Sequence, residues 1–111
     1  MASTQANPSA SVLFVHPNSD LMYPCELPLS VPALIKRIPA DVFGCYGREL
    51  SADAVRKCQV VLIDVHWYHQ LKEAVRLAER IKRVNPDAHI VAGGLTASLY
   101  AHILAERYDF D

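Results

Sequence analysis

Only four glycines and three cysteines occur among the 111 residues, and the cysteines are not spaced for a metal or for cross-links. Cys25, Cys45 and Cys58 are odd in number and contain no C-x-x-C pair, so neither a disulfide framework nor a zinc site is indicated. Free thiols of this kind suit a reducing, cytoplasmic setting. An excess of one charge is also missing. The 11 Lys and Arg stand against 12 Asp and Glu, a formal charge of −1, which gives no footprint for nucleic acid or an anionic membrane surface. No apolar run approaches the roughly 20 residues that span a bilayer. Residues 1–10 are small and polar rather than basic and then apolar, and they read as a disordered lead before a domain over 11–111. Internal repeats and low-complexity tracts are absent as well.

What is present is apolar sequence in alternating periods. With 51% hydrophobic residues the chain can bury one core, and its length suits a single domain. Residues 11–16 are a continuous apolar run of the kind buried on both faces of a sheet, ended by Pro17-Asn18-Ser19-Asp20. Leu27, Val31, Leu34, Ile35 and Ile38 then keep helical spacing, with Pro28 and Pro32 near the start and Pro39 as the stop. Residues 41–46 form a short second strand, and Ser51 caps a helix reaching Cys58, with Asp53 in its first turn. The strongest strand is 59–66. It leads through Trp67-Tyr68-His69 into a long amphipathic helix with Leu71, Ala74, Val75, Ala78, Ile81 and Val84 as its buried stripe. Asn85-Pro86-Asp87 ends that helix, residues 88–92 form a fourth strand, and a final helix is expected over 95–107.

Right-handed crossovers turn this order into a doubly wound, Rossmann-like or flavodoxin-like α/β sandwich with a parallel sheet of order 2-1-3-4. Tyr108-Asp109-Phe110-Asp111 looks like the opening of a fifth strand, so the chain reads as a domain excised from a longer one. The switch point lies between strands one and three. Loops starting at His16, Asp64 and Gly93 meet there at the carboxyl edge, where ligands of such sheets bind. Gly93 and Gly94 lack Cβ atoms and permit a ligand to approach the backbone; a plain strand-to-helix turn is the other reading of the same pair.

The run from Val12 to Asp111 resembles the cobalamin-binding domain at the amino terminus of cobalamin-dependent radical S-adenosylmethionine enzymes. The resemblance rests on Val12-Leu13-Phe14-Val15-His16-Pro17 leading to Leu27-Pro28-Leu29, then Cys58-Gln59-Val60-Val61-Leu62-Ile63 and Ile81-Lys82-Arg83-Val84-Asn85-Pro86. It continues through Val91-Ala92-Gly93-Gly94-Leu95-Thr96-Ala97-Ser98 to Tyr108-Asp109-Phe110-Asp111. In the wider cobalamin-binding fold the first loop carries D-x-H-x-x-G, whose histidine is the lower axial ligand of cobalt. Here His16-Pro17-Asn18-Ser19-Asp20 stands in its place, so no axial role transfers, as in the radical subgroup.

The resemblance implies a corrinoid whose nucleotide tail lies between sheet and helices and whose ring lies over the carboxyl edge. The cofactor-binding set it implies is His16, Pro17, Asn18, Val65, His66, Trp67, Gly93, Gly94, Leu95, Thr96 and Ser98, with Thr96 and Ser98 donating hydrogen bonds to the tail. It further implies a catalytic radical domain in the same parent chain, holding a [4Fe-4S] cluster and S-adenosylmethionine for methyl transfer or rearrangement. No three cysteines here have the C-x-x-x-C-x-x-C spacing that such a cluster needs, so this chain alone is expected to bind rather than catalyse.

Other readings attach to the same residues. His66 and His69 lack a third metal ligand at fixed spacing, and Trp67 also suits a cover over the sheet edge. Asp64 supports a degenerate response-regulator receiver, since Leu62-Ile63-Asp64-Val65 resembles a phospho-acceptor strand and Thr96 a switch threonine. A working receiver needs an acidic pair after strand one to hold magnesium, and His16-Pro17 occupy that place. A nucleotide-binding flavodoxin-like module would want a richer phosphate loop than Asn18-Ser19.

Overall fold

Four short, largely apolar runs pair in parallel. β1 (Val12–His16), β2 (Val42–Tyr46), β3 (Val60–Asp64) and β4 (His89–Gly93) form one sheet in the order β2-β1-β3-β4. The computed structural model describes residues 10–17 and 30–111. The expectations for the lead through Ser9, for Asn18 and Cys25, and for a helix beginning at Leu27 therefore lie outside the described residues. Among the described residues the α-helices are α1 (Ser30–Ile35), α2 (Ala52–Lys57), α3 (Leu71–Val84), α4 (Leu95–Leu99) and α5 (Ala101–Arg107), and the whole is a doubly wound α/β fold with the strand order that right-handed crossovers require.

Register sorts the strand side chains onto two faces. Leu13, Val15, Val61, Ile63 and Ile90 are at most 1% exposed and pack against Ala54 and Val55 of α2, Ala74, Leu77, Ala78 and Ile81 of α3, and Leu104 of α5. Burying each large aliphatic side chain stabilises the fold by about 1.5–3 kcal/mol, so this face carries most of the core energy. On the other face Phe14 pairs with Leu62 and Leu62 with Val91 in one row, and the next row sets Asp64 beside Gly93. Among the described residues α1 is the helix that lines this side.

The local chemistry follows the sequence closely in the middle of the chain. Ser51 accepts a hydrogen bond from the Ala54 N–H at 3.1 Å, and Asp53 in the first turn and Arg56 and Lys57 in the last complement the helix dipole. The buried stripe of α3 includes Leu77, which shares a face with Ala74, Ala78 and Ile81 through i+3 and i+4 spacing. Asn85 then donates from Nδ2 to the Val55 and Cys58 carbonyls, tying the end of α3 to the end of α2.

Two expectations are corrected. The first helix ends at Ile35 rather than Ile38, because the chain tightens into turns in which Arg37 and Ile38 donate to the Leu34 and Ile35 carbonyls. The helix expected over 95–107 is broken at Tyr100, whose φ of −114° and ψ of 23° interrupt the α conformation. Its first piece is anchored where the Ala97 N–H donates to the Val65 carbonyl, and its second places Leu104 in the core. Residues 108–111 form no complete strand, in keeping with a fifth strand that is truncated or absent. Phe110 is buried, and Asp111 makes a ladder-like bond from its N–H to the Ile90 carbonyl at 2.7 Å while its carboxylate accepts from the Ile90 N–H at 2.9 Å.

Candidate functional site

The carboxyl edge is assembled from the ends of β1, β3 and β4. His16 closes β1 and Asp64 closes β3, and His16 Nδ1 lies 3.0 Å from Asp64 Oδ2 with both side chains almost wholly buried. A carboxylate only accepts, so Nδ1 carries the proton of this bond. The imidazole also meets the edge of Tyr46, with ring centres 5.7 Å apart and planes at 76°.

The two glycines that end β4 do different work. Gly94 has φ of +105°, a conformation L side chains rarely adopt, and a Cβ there would lie 2.9 Å from the carbonyl carbon and oxygen of Val65. Its missing side chain lets the β4–α4 turn sit directly on the Val65–His66 peptide. Gly93 is the opposite case. A Cβ on Gly93 meets no atom within 4 Å. The space beside it belongs to a cavity of about 460 Å³ lined by Phe14, Val31, Leu34, Leu62 and Val91, with Asp64, Gly93 and Gly94 along one part of its wall. Cavities of this size hold small-molecule ligands, and an apolar lining with few polar groups is their usual construction.

The two hydroxyls expected to meet a ligand already have backbone partners within the chain, the buried Thr96 and the exposed Ser98 alike. Thr96 Oγ1 donates to the His66 carbonyl at 2.9 Å, and Ser98 Oγ donates to the Gly94 carbonyl at 3.0 Å. Val65 brings only its backbone to the edge, since its side chain is in the core on the opposite face. Pro17 is fully buried and Leu95 is exposed. His66 and Trp67 are partly exposed and pack on one another, edge to face at 4.8 Å, while His69 stacks on Trp67 with planes at 4°. Asn18 lies outside the described residues.

Gln70 is the residue that organises these loops, and it was not among the sequence candidates. It is wholly buried. Its Oε1 accepts from the His66 and Trp67 N–H groups, both at 3.0 Å, and its Nε2 donates to the Pro17 carbonyl at 3.3 Å. One amide thus links the loop after β1 to the loop after β3. The available signal was its position three residues after Trp67, the spacing at which a Gln reaches back to the start of a helix.

Of the described residues, Cys45 and Cys58 are free thiols. Burial pushes Cys45 up to about 11, with Glu49 adding to the shift and Arg80 opposing it, and burial also raises Cys58. Both are therefore protonated and poor nucleophiles near neutral pH. Among the described residues no cluster of three or more His, Cys, Asp or Glu is placed to hold a metal ion, and no helix is long and apolar enough to cross a membrane. Comparison with protein-family models, with curated proteins and with solved structures finds no match.

Proposed function

We propose that this chain is a cobalamin-binding domain of a cobalamin-dependent radical S-adenosylmethionine enzyme, taking the nucleotide end of the corrinoid into the cavity beside Gly93 and the corrin ring over the carboxyl edge. Gly93 carries the reading. It is a strand-end glycine with open space where its side chain would be, at the wall of an apolar cavity and next to the switch point at which doubly wound sheets bind ligands. The apolar walls suit a flat base, and the partly exposed His66–Trp67 pair offers aromatic surface to a ring above. His16 is held by Asp64 and buried against Tyr46, an arrangement that suits a corrinoid without a protein ligand to cobalt.

When bound, the cofactor supplies a cobalt centre that can carry a methyl group. The chain's own residues bind and orient it: Gln70 fixes the loops, Gly94 sets the turn, and the cavity excludes water from the base. On this reading the [4Fe-4S] cluster, S-adenosylmethionine and the reaction itself belong to a catalytic domain of the same parent, in the cytoplasm.

The receiver alternative has less support from the geometry. Magnesium at a phospho-acceptor needs an acidic pair after strand one, and here His16 and Pro17 stand in that place, with His16 Nδ1 bonded to Asp64 Oδ2 at 3.0 Å. Incubation with hydroxocobalamin followed by desalting is expected to leave corrin absorption on the protein. Gly93→Leu is expected to abolish that retention while keeping stability within about 0.5 kcal/mol of wild type. Complete release of the corrin by folded protein, or undiminished retention by Gly93→Leu, overturns the reading.

A further inference from the structure

We propose that Asp64 makes the cavity selective for a nucleotide base that donates a hydrogen bond, so that an adenine-type base is preferred over 5,6-dimethylbenzimidazole. The inference rests on the cavity being the corrinoid nucleotide site and names which corrinoid it takes. The walls near Gly93 are the hydrocarbon of Leu62 and Val91, and Phe14 lies in the same row of the sheet. Asp64 is the buried polar side chain among them, 5% exposed and opposite Gly93 in the strand register.

Its acceptor capacity decides what can lie against it. Oδ2 accepts a hydrogen bond from His16 Nδ1 at 3.0 Å, and a carboxylate has about four lone-pair sites, so capacity remains for a ligand. Whatever replaces water there must bring a donor, because a desolvated carboxylate facing a lone pair loses its hydrogen bonds to water without replacement. The glycosylated dimethylbenzimidazole offers only a ring nitrogen lone pair and methyl groups. Adenine offers an exocyclic –NH2 on an equally flat, apolar body. Arg37 also lines the cavity but is exposed, so its pairing with water survives either base and it discriminates little.

The test measures equilibrium binding of two corrinoids that differ only in the lower base, adenine against 5,6-dimethylbenzimidazole, together with adenosine and the dimethylbenzimidazole riboside alone. A preference of about tenfold or more for the adenine member of each pair is expected. Asp64→Asn retains an oxygen for His16 and turns an –NH2 toward the cavity, and it should shrink that ratio below about twofold or invert it. Gly93→Leu should weaken both members alike. Equal affinity for the two bases, or preference for dimethylbenzimidazole, overturns the inference while leaving the corrinoid reading standing. Binding of adenosine over the riboside without uptake of either corrinoid supports base selection and removes the corrinoid reading. Failure of all four ligands to bind removes both. Melting curves establish that Asp64→Asn is folded, and if it is not, the wild-type ratio alone decides.

Discussion

On one face of the sheet Leu13, Val15, Val61 and Ile90 are wholly buried under α2 and α3; on the other, one position along the same strands, Leu62 is partly exposed and Val91 is 45% exposed beside a cavity. A strand alternates its side chains, so both faces are written into the same five-residue segments. The difference lies in what covers them. The closed face is continuous with α3, whose Ala74, Leu77, Ala78 and Ile81 complete a single cluster. On the open face Phe14 is buried, while Leu62 and Val91 in the same row border the cavity. On the proposed function, stability and binding fall on opposite sides of one sheet, and substitutions on the two sides should separate them.

The largest expected effect is on the closed face. Leu77→Ala leaves a cavity against residues that cannot collapse onto it and should destabilise the protein by about 2–5 kcal/mol in urea denaturation. Val91→Ala, on the open face, removes a side chain already half in water and should cost less than about 1 kcal/mol. Equal losses from the two substitutions would break the division between faces.

Next in size is the contrast between the neighbouring glycines. Gly94→Ala must place a Cβ 2.9 Å from the Val65 carbonyl at a positive φ, and about 2–4 kcal/mol of destabilisation is expected. Gly93→Ala meets open space at an ordinary φ and should be neutral or slightly stabilising, within about 0.5 kcal/mol. Thermal melting of the two variants decides it, and similar melting temperatures would show that both glycines serve the turn.

These two glycines also mark where the sequence stopped being readable. The apolar runs of β1 and β3 and the Ser51 cap are local patterns, and they gave the strands, the order of the sheet and α2 directly. Which glycine is structural and which is open depends on the Val65–His66 peptide, nearly thirty positions away in the chain, and no local pattern holds that information. The same holds for Thr96 and Ser98. Their hydroxyls look available in sequence and are spent on backbone carbonyls in the fold. The break at Tyr100 involves neither Gly nor Pro, so nothing in the helical periodicity of 95–107 announces it.

Gln70 joins the loops after β1 and β3 at the carboxyl edge and tests whether that edge is one unit. Gln70→Ala strips a partner from two N–H groups and from the Pro17 carbonyl, and about 1–3 kcal/mol should be lost. Faster amide exchange at His66 and Trp67, with exchange in α3 beyond its first turn unchanged, is the expected signature. Exchange that rises uniformly would mean that Gln70 supports the whole fold rather than the loops.

The smallest effect belongs to the sheet edge at β4. The Ile90 N–H, and after it Lys82, hold the Asp111 carboxyl below its ordinary value of 3.8. A depressed carboxyl stabilises the folded state above its unfolded pKa, and that contribution fades as pH falls through the lower folded value. Asp111 is 42% exposed on its side chain and the Lys82 pair is screened, so the contribution at neutral pH is less than about 1 kcal/mol. Acid titration below pH 3.8 should therefore loosen the attachment of residues 108–111 to β4, seen as exposure of Phe110 and a shift of the Ile90 amide resonance, before the buried cluster under α3 melts. Asp111→Asn should remove this early step and leave the main acid transition in place. If the two transitions coincide in wild type, the β4 edge and the closed face unfold together, and the separation of the sheet into a closed face and an open face does not extend to its border.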